Sequence, residues 1–369
     1  LALLGLLRSK SKQILKLQHI LLMNLNRLFV YFLISLLVSC SDNKVHHAKD
    51  FIFGTLIDIK IYGESKNDAE KVSNEIFTEF HRLHKLLHPW EKSLITDINT
   101  AISENKSILI NNDEVIAILK NAQQLETQTQ NLFNPSIGKL IKLWGFHSND
   151  YNQRKIPNEN TIQELVSSNP LMQSIKIENS ILKSNNKNVQ IDLGGYAKGY
   201  ALDQAKQILK NNNIKNALIN IGGNILAFGK YGDRDWVVGI QNPRRPNVLA
   251  TIALKPGWAI GTSGDYQRYI MVNNQRYSHL INSKTGYPEN KTQSATILLP
   301  PSEDSGTLSD VFSKPLFIAK RENKINFAKL LNINYFLIIM DDDSILISKS
   351  LNKEINWKED IDKKSITIY

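Results

Sequence analysis

The stretch DLGGYAKGYALD, residues 192–203, decides how this chain is read. Val189 and Ile191 alternate into it as the end of a strand. Tyr196, Ala197, Tyr200, Ala201, Ala205, Ile208 and Leu209 leave it along one helical face. Gly194 and Gly195 lie between, where a missing Cβ admits unusual φ angles and close backbone approach. A helix N-terminus carries free N–H groups and partial positive charge, and Lys198 adds a full charge in the first turn. Such a place suits a phosphate, and it equally suits a tight strand–helix junction. Asp192 would repel an anion unless it touches a ribose or base edge, or a cation intervenes. Neither GxGxxG nor GxxxxGK followed by Ser or Thr is present, so the usual nucleotide fingerprints do not apply. Asp203 reads as a carboxylate on the helix surface.

Downstream, short apolar or alternating runs are divided by Gly, Pro and Asn turns: NVQID, ALINIGG, WVVGIQ, VLATIAL, YIMVNN and ATILL. YFLIIMDDDSILIS reads as a hairpin turning at its aspartates, and helices are predicted over 196–210 and 309–318. Upstream, FIFGTLIDIKIYG (51–63) reads as one strand. Residues 66–88 carry Val72, Ile76, Phe80, Leu83 and Leu87 at helical spacing, and a further helix is predicted over 113–128 with Asn112 as its cap. His81, His84 and His88 fall near one face of the 66–88 helix; without an HExxH pattern they read as a solvated face. These patterns predict an α+β fold, mostly antiparallel sheets packed with helices, in a single large domain over 51–350. The polar tail, 351–369, is expected to add little.

The 369 residues are 22% charged and 42% hydrophobic, an ordinary balance for a folded chain. The net charge of +10 invites a nucleic-acid reading, but the lysines are scattered and no basic run is interleaved with aromatics, so no nucleic acid is expected. A diffuse positive field remains compatible with an anionic small molecule. The single cysteine, Cys40, ends the segment MNLNRLFVYFLISLLVSC, whose apolar run from 28 to 38 is about eleven residues, against about 20 needed to span a bilayer. A charged start, a short apolar middle and small residues before a break describe a secretory signal. The ending Leu37-Val38-Ser39-Cys40 resembles the lipobox of bacterial lipoproteins. Residues 1–39 are accordingly read as leader and signal peptide, and 40–50 as a tether lipidated at Cys40. The protein is then exported and lipid-anchored to a bacterial membrane, facing the periplasm.

Five more segments follow one another in order: NIGGNILAFG (220–229), WVVGIQNP (236–243), AIGTSGDYQRY (259–269), YSHLINSKTGYP (277–288) and LSDVFSKPLF (308–317). Upstream stand FGT (53–55), HPWEKSLITDIN (88–99) and LFNPSIGKLIKLWGF (132–146). With the opening stretch, this series resembles the ApbE family, the FAD:protein FMN transferases, over about 51–350. The resemblance implies a T-fold-related domain that splits FAD at its diphosphate. The FMN half would pass to a Ser or Thr hydroxyl of an acceptor flavoprotein, a subunit of a membrane redox complex, with release of AMP. FAD pyrophosphatase action and FAD binding without turnover stand as alternatives.

By position, the resemblance assigns FAD contacts to Phe53, Trp90, Leu132, Phe133, Asn134, Asp192, Lys198, Thr262 and Ile281. His279 would take or orient the proton of the attacking hydroxyl. Mg²⁺ would be held by Asp310 and the Gly195 carbonyl, an all-oxygen shell suited to that ion, with Ser313 and Lys314 beside it. Lys314 is a departure, because the family has Thr there, and a protonated lysine cannot bind a metal. Either Ser313, backbone and water complete the shell, or the ammonium partly substitutes for the cation. Asp310 also reads as a helix cap. Phe53 stands for Met, Asn282 and Ser283 for Asp and Pro, and Asn224 for Asp.

Overall fold

The computed structural model describes residues 45–148 and 155–369. The leader, Cys40 and the first part of the tether lie outside the described residues. Strands β1 (Val45–Ile52) and β2 (Thr55–Tyr62) come first, followed by helices α1 (Lys66–Leu87) and α2 (Leu94–Ser103). Then come β3 (Ile108–Leu109), α3 (Asp113–Gln128), α4 (Gly138–Leu143), α5 (Glu159–Ser167), β4 (Ile175–Glu178) and β5 (Ile181–Ser184). Helix α6 (Ala197–Asn211) leads into β6 (Ala217–Ile221), β7 (Asn224–Phe228), β8 (Trp236–Gln241) and β9 (Val248–Leu254). After these run β10 (Ala259–Gly264), β11 (Tyr269–Val272), β12 (Gln275–Ser278) and β13 (Thr292–Leu299). Helices α7 (Ser305–Ile318) and α8 (Arg321–Leu330) precede β14 (Tyr335–Met340) and β15 (Ile345–Ile347). Last come α9 (Lys349–Asn352), β16 (Asn356–Trp357) and β17 (Ile366–Ile368).

Nine strands form the central sheet in the order β1-β2-β6-β7-β10-β13-β14-β15-β17. Its ladders are antiparallel except β15 with β17, so the predicted α+β class holds. Side chains alternate across a strand, and this sheet buries both faces. Ile57, Ile59 and Ile61 of β2, Ala217, Ile219 and Ile221 of β6, and Ala295 and Ile297 of β13 join one core with α1, α6 and α7. Leu218, Ile225, Ala227, Ile260, Leu298 and Leu337 point the other way, into a second core with Trp236, Val238 and Ile252 of the β16-β9-β8 sheet. Each such fully buried Ile or Leu contributes about 1.5–3 kcal/mol. A satellite core joins Leu140 and Trp144 to Ile162, Ile270 and Ile281, and Trp144 Nε1 donates to the Gly286 carbonyl at 2.9 Å. It holds the β11–β12 hairpin and the 279–288 loop in place.

Helix caps follow the sequence. Asn112 accepts from the Val115 amide at 2.9 Å, as its position predicts, and Ser93 with Thr96 forms a reciprocal capping box on α2. Helix α7 is different, because its own N-cap residue, Asp304, makes no side-chain cap bond. Its free amides are met by Asp203 of α6: Oδ1 accepts from Gly306 N at 2.8 Å, and Oδ2 from Thr307 N at 2.8 Å and Thr307 Oγ1 at 2.7 Å. The expectation of a surface carboxylate at Asp203 is therefore wrong, for it is a buried cap supplied across a helix pair. Asp310 does not cap its own helix, since α7 begins at Ser305; its carboxylate instead meets the first-turn Gly199 amide of α6.

Other expectations also shift. FIFGTLIDIKIYG is two strands, because Phe53 and Gly54 take φ of 55° and 70° and turn the chain into the β1–β2 hairpin. NVQID joins no ladder and makes one parallel bridge, Gln190 to Ile137. Residues 45–50, read as tether, belong to β1, since the hairpin pairs them with β2. The tail pairs as well: β16 with β9, and β17 with β15. Among the described residues, no helix is long and apolar enough to cross a membrane.

Helix α7 lies on β10 and crosses α6 at very short range. A Cβ built at Gly199 would lie 2.4 Å from the Gly306 carbonyl oxygen, and one at Gly261 of β10 would lie 1.9 Å from that of Ser309. Backbone cannot move aside cheaply. Gly261→Ala is expected to destabilise the fold by about 1–3 kcal/mol, read as a lower urea midpoint at unchanged slope. An unaltered midpoint would show that α7 is not seated on β10 as described.

Candidate active site

The glycine turn is pinned on three sides before α6 begins. Ile191 exchanges two hydrogen bonds with the Asn99 side chain of α2, at 2.7 and 2.9 Å. Asp192 N donates to Pro135 O at 2.8 Å, and Gln190 N to Ser136 O at 3.0 Å, so the NPSIG segment runs alongside. The turn then closes on itself, with Gly194 N donating to Asp192 Oδ1 at 2.8 Å and Tyr196 N to Leu193 O at 2.9 Å.

Asp310 faces this turn from the second turn of α7 and is 3% exposed. Its Oδ2 accepts from Gly199 N at 3.1 Å and lies 3.7 Å from Lys198 Nζ. Lys314 Nζ donates to its Oδ1 and to its backbone oxygen, both at 2.7 Å. Burial opposes the Asp310 charge, yet the two ammonium groups and the Gly199 amide hold its carboxyl below the ordinary range. Lys198 Nζ also donates to Gly194 O at 3.0 Å, tying the first turn of α6 back onto the glycine turn.

The end of the Lys314 side chain lies against Gly195, where a Cβ would be 2.4 Å from Lys314 Cε. The lysine thus fills the gap between Gly195 and Asp310 that the family resemblance gives to Mg²⁺. Ser313 is already engaged, donating to Asp310 O at 2.8 Å and sharing a 2.7 Å bond with Ser263 Oγ. One carboxylate with both oxygens occupied, two ammonium groups and a committed hydroxyl do not fit a resident divalent cation. Among the described residues, no group of three or more His, Cys, Asp and Glu could hold a metal. The expected solvated face holds only at His81, because His84 and His88 are half-buried and His88 Nδ1 accepts from the Trp90 and Glu91 amides.

His279 follows β12 and faces the same cluster. Its Nδ1 lies 3.1 Å from the Arg268 carbonyl, an acceptor, so Nδ1 carries the hydrogen and Nε2 keeps its lone pair. Burial pushes the imidazole down to about 3, and the charges of Arg268, Lys198 and Lys314 push the same way. Asp192 sits across the turn; crowding around its carboxyl raises it, opposed by the Gly194 amide, Arg268, Trp90 and His88. Three cations therefore meet two carboxylates here, a field that attracts a diphosphate.

Of the residues assigned to FAD, the structure brings Trp90, Asp192 and Lys198 to this turn. Phe53, half-buried, packs edge-on against His84 at 5.4 Å, and His84 in turn against His88 at 5.0 Å. Thr262 shares a 3.0 Å bond with Thr296, on the strand that carries Ser263. Leu132 and Phe133 belong to the main core, Ile281 to the satellite core, and Asn134 is taken up by Ser136 N and Pro170 O. These four do not present free groups to the cluster. Asn99, Ser263 and Arg268 were missed. All three sit inside quoted motifs, but for Asn99 and Ser263 only the pairing partner 92 or 50 residues away reveals their work.

The model of the ApbE family matches residues 53–337. The FAD:protein FMN transferase of Rhodobacter capsulatus is 30% identical over 309 residues, covering 84% of this chain and 58% of that protein. The chain thus spans little more than half that relative's length. The FAD:protein FMN transferase of Haemophilus influenzae is 27% identical, over 86% of this chain and 93% of the relative. Among solved structures, the ApbE protein of Thermotoga maritima superposes with a TM-score of 0.76 at 28% identity, covering 84% of this chain and 99% of that one. The flavin transferase ApbE of Vibrio cholerae, at 23% identity and a TM-score of 0.70 over 84% of this chain and 99% of its own, shares the fold.

The state of His279 makes a testable difference. The unfolded chain binds a proton near the ordinary value of 6.5 that the folded site refuses, so this group costs stability as pH falls below that value. The imidazole nitrogen shifts in NMR are expected to report the neutral Nδ1–H tautomer from about pH 8 down to about pH 5. A midpoint near the ordinary value would contradict the burial described.

Proposed function

The chain belongs to the ApbE family, and on that premise we propose that it transfers the FMN half of FAD to a Ser or Thr hydroxyl of an acceptor flavoprotein. The single observation that supports this reading most is the meeting of Lys198, Lys314 and His279 at the glycine turn. In the reaction, the acceptor oxygen forms a bond to the flavin-side phosphorus. The bond from that phosphorus to the bridging oxygen breaks, AMP leaves with the bridging oxygen, and the hydroxyl proton passes to a base. Catalysis of such a displacement is chiefly a matter of positioning and of charge stabilisation.

The residues divide these tasks. Lys198 and Lys314 face the negative charge of the diphosphate and of the departing AMP. Asp310 holds both ammonium groups in place, and the Gly199 amide holds Asp310. His279 Nε2 is the proton acceptor, oriented by its Nδ1 bond to Arg268 O. Its low basicity without substrate follows from burial among cations, and an arriving diphosphate opposes those charges and raises it. Asp192, beside Trp90, meets FAD away from the phosphates. The Mg²⁺ implied by the resemblance enters no step, because the residues do not fit it.

We propose further that Cys40 carries lipid and holds the enzyme on the outer side of a bacterial membrane, where the acceptor is a flavin-carrying subunit of a redox complex. Cys40 lies outside the described residues, and the support is the leader sequence alone.

Incubation with FAD and candidate acceptor subunits is expected to give a covalently fluorescent acceptor and an equal amount of AMP. His279→Ala is expected to lower kcat about 10²- to 10⁴-fold with FAD affinity little changed. Bound FAD with no labelled acceptor would overturn the transferase reading. FMN and AMP released without acceptor would point to hydrolysis instead.

A further inference from the structure

Where the family resemblance puts a divalent cation, this chain has built a lysine into the fold. Lys314 stands one helical turn beyond Asp310 on α7, so both side chains leave the same face of the helix. Lys314 is 9% exposed, and its ammonium gives two hydrogen bonds to Asp310, at 2.7 Å each. An ammonium has three N–H groups, and one is therefore left for a phosphate oxygen. A cation bound between Asp310 and the Gly195 carbonyl would have to take Asp310 Oδ1 from Lys314. The displaced ammonium would stay buried without its anion, with its stem already pressed on Gly195. Ser313 could not compensate, since its hydroxyl is turned to Ser263 and to Asp310 O. Lys198, 3.7 Å from Asp310 Oδ2, supplies the second positive charge from the other helix.

We infer that the Lys314 ammonium is a built-in substitute for the divalent cation, so that FAD is held and its diphosphate neutralised here without metal. The inference rests on the FAD reading above, and it makes Lys314 a residue that touches the substrate. It also separates this chain from a site with Thr at the same position, which leaves room for an ion.

Two measurements on the full chain test it. Mn²⁺ alone is titrated and followed by electron paramagnetic resonance, and FAD binding is followed by flavin fluorescence in EDTA and in Mg²⁺. The wild type is expected to bind no Mn²⁺ at this site and to show the same FAD affinity in both buffers, within about twofold. Lys314→Thr is expected to gain Mn²⁺ binding that a further Asp310→Ala removes. Its FAD affinity should fall about tenfold in EDTA and recover in Mg²⁺. Mn²⁺ bound by the wild type and lost in Asp310→Ala would overturn the inference, as would a tightening of wild-type FAD binding by about tenfold or more with Mg²⁺. If FAD binds in neither buffer, the FAD reading fails, while the Mn²⁺ titration still decides whether Lys314 fills the cation's place. Should Lys314→Thr not fold, the wild-type results decide alone.

Discussion

Helices α6 and α7 meet backbone to backbone at Gly199 and Gly306, and the whole site depends on that crossing. With any side chain at either position the helices would have to part, since a Cβ at Gly306 would fall 2.6 Å from the Gly199 carbonyl oxygen. Because they do not part, Asp203 reaches the first amides of α7, and Asp310 reaches the Gly199 amide. The two aspartates thus lace the helices in opposite directions, each carboxylate meeting N–H groups of the other helix. Lys206 completes the lacing, donating to the carbonyls of Ser302 and Glu303 just before α7 and lying 3.3 Å from Asp203.

That lacing explains how charges survive in so buried a place. A buried carboxylate is tolerated only when hydrogen bonds and counter-charges replace water. Asp310 has an amide, one ammonium in direct contact and a second at 3.7 Å. Those are the interactions that turn the turn's face towards an anion. The same arrangement removes the room and the free oxygens that a divalent ion would need. Local electrostatics and family pattern therefore disagree at one residue, Lys314, and the disagreement has a geometric cause.

Much of the fold was legible in the sequence because its signals are local. The spacing of Val72, Ile76, Phe80 and Leu83 fixed α1, and Asn112 marked the start of α3. The hairpin at DDDS turned where expected. Alternation failed at FIFGTLIDIKIYG because a two-residue turn preserves the parity of the pattern, so two strands look like one. It failed at NVQID because buried apolar residues alternate there without a neighbouring strand to pair with. Of the site, Asp192, Lys198, His279, Asp310 and Lys314 came through an ordered series of motifs, none decisive alone. Asp203 looked like surface, since nothing in α6 announces a partner helix 103 residues away. Leu132, Phe133 and Asn134 show the converse, in which the side chains at motif positions are engaged in packing or in turn bonds.

The central claim is that Lys314, and not a divalent ion, occupies the space between Gly195 and Asp310 when FAD is bound. Crystals of the chain soaked with FAD and Mn²⁺, with data collected at the manganese edge, test it most directly. The account predicts diphosphate oxygens within hydrogen-bond reach of Lys198 and Lys314 Nζ, and no anomalous peak beside Asp310. A manganese peak between Asp310 and the Gly195 carbonyl, with the Lys314 side chain swung away, would contradict it.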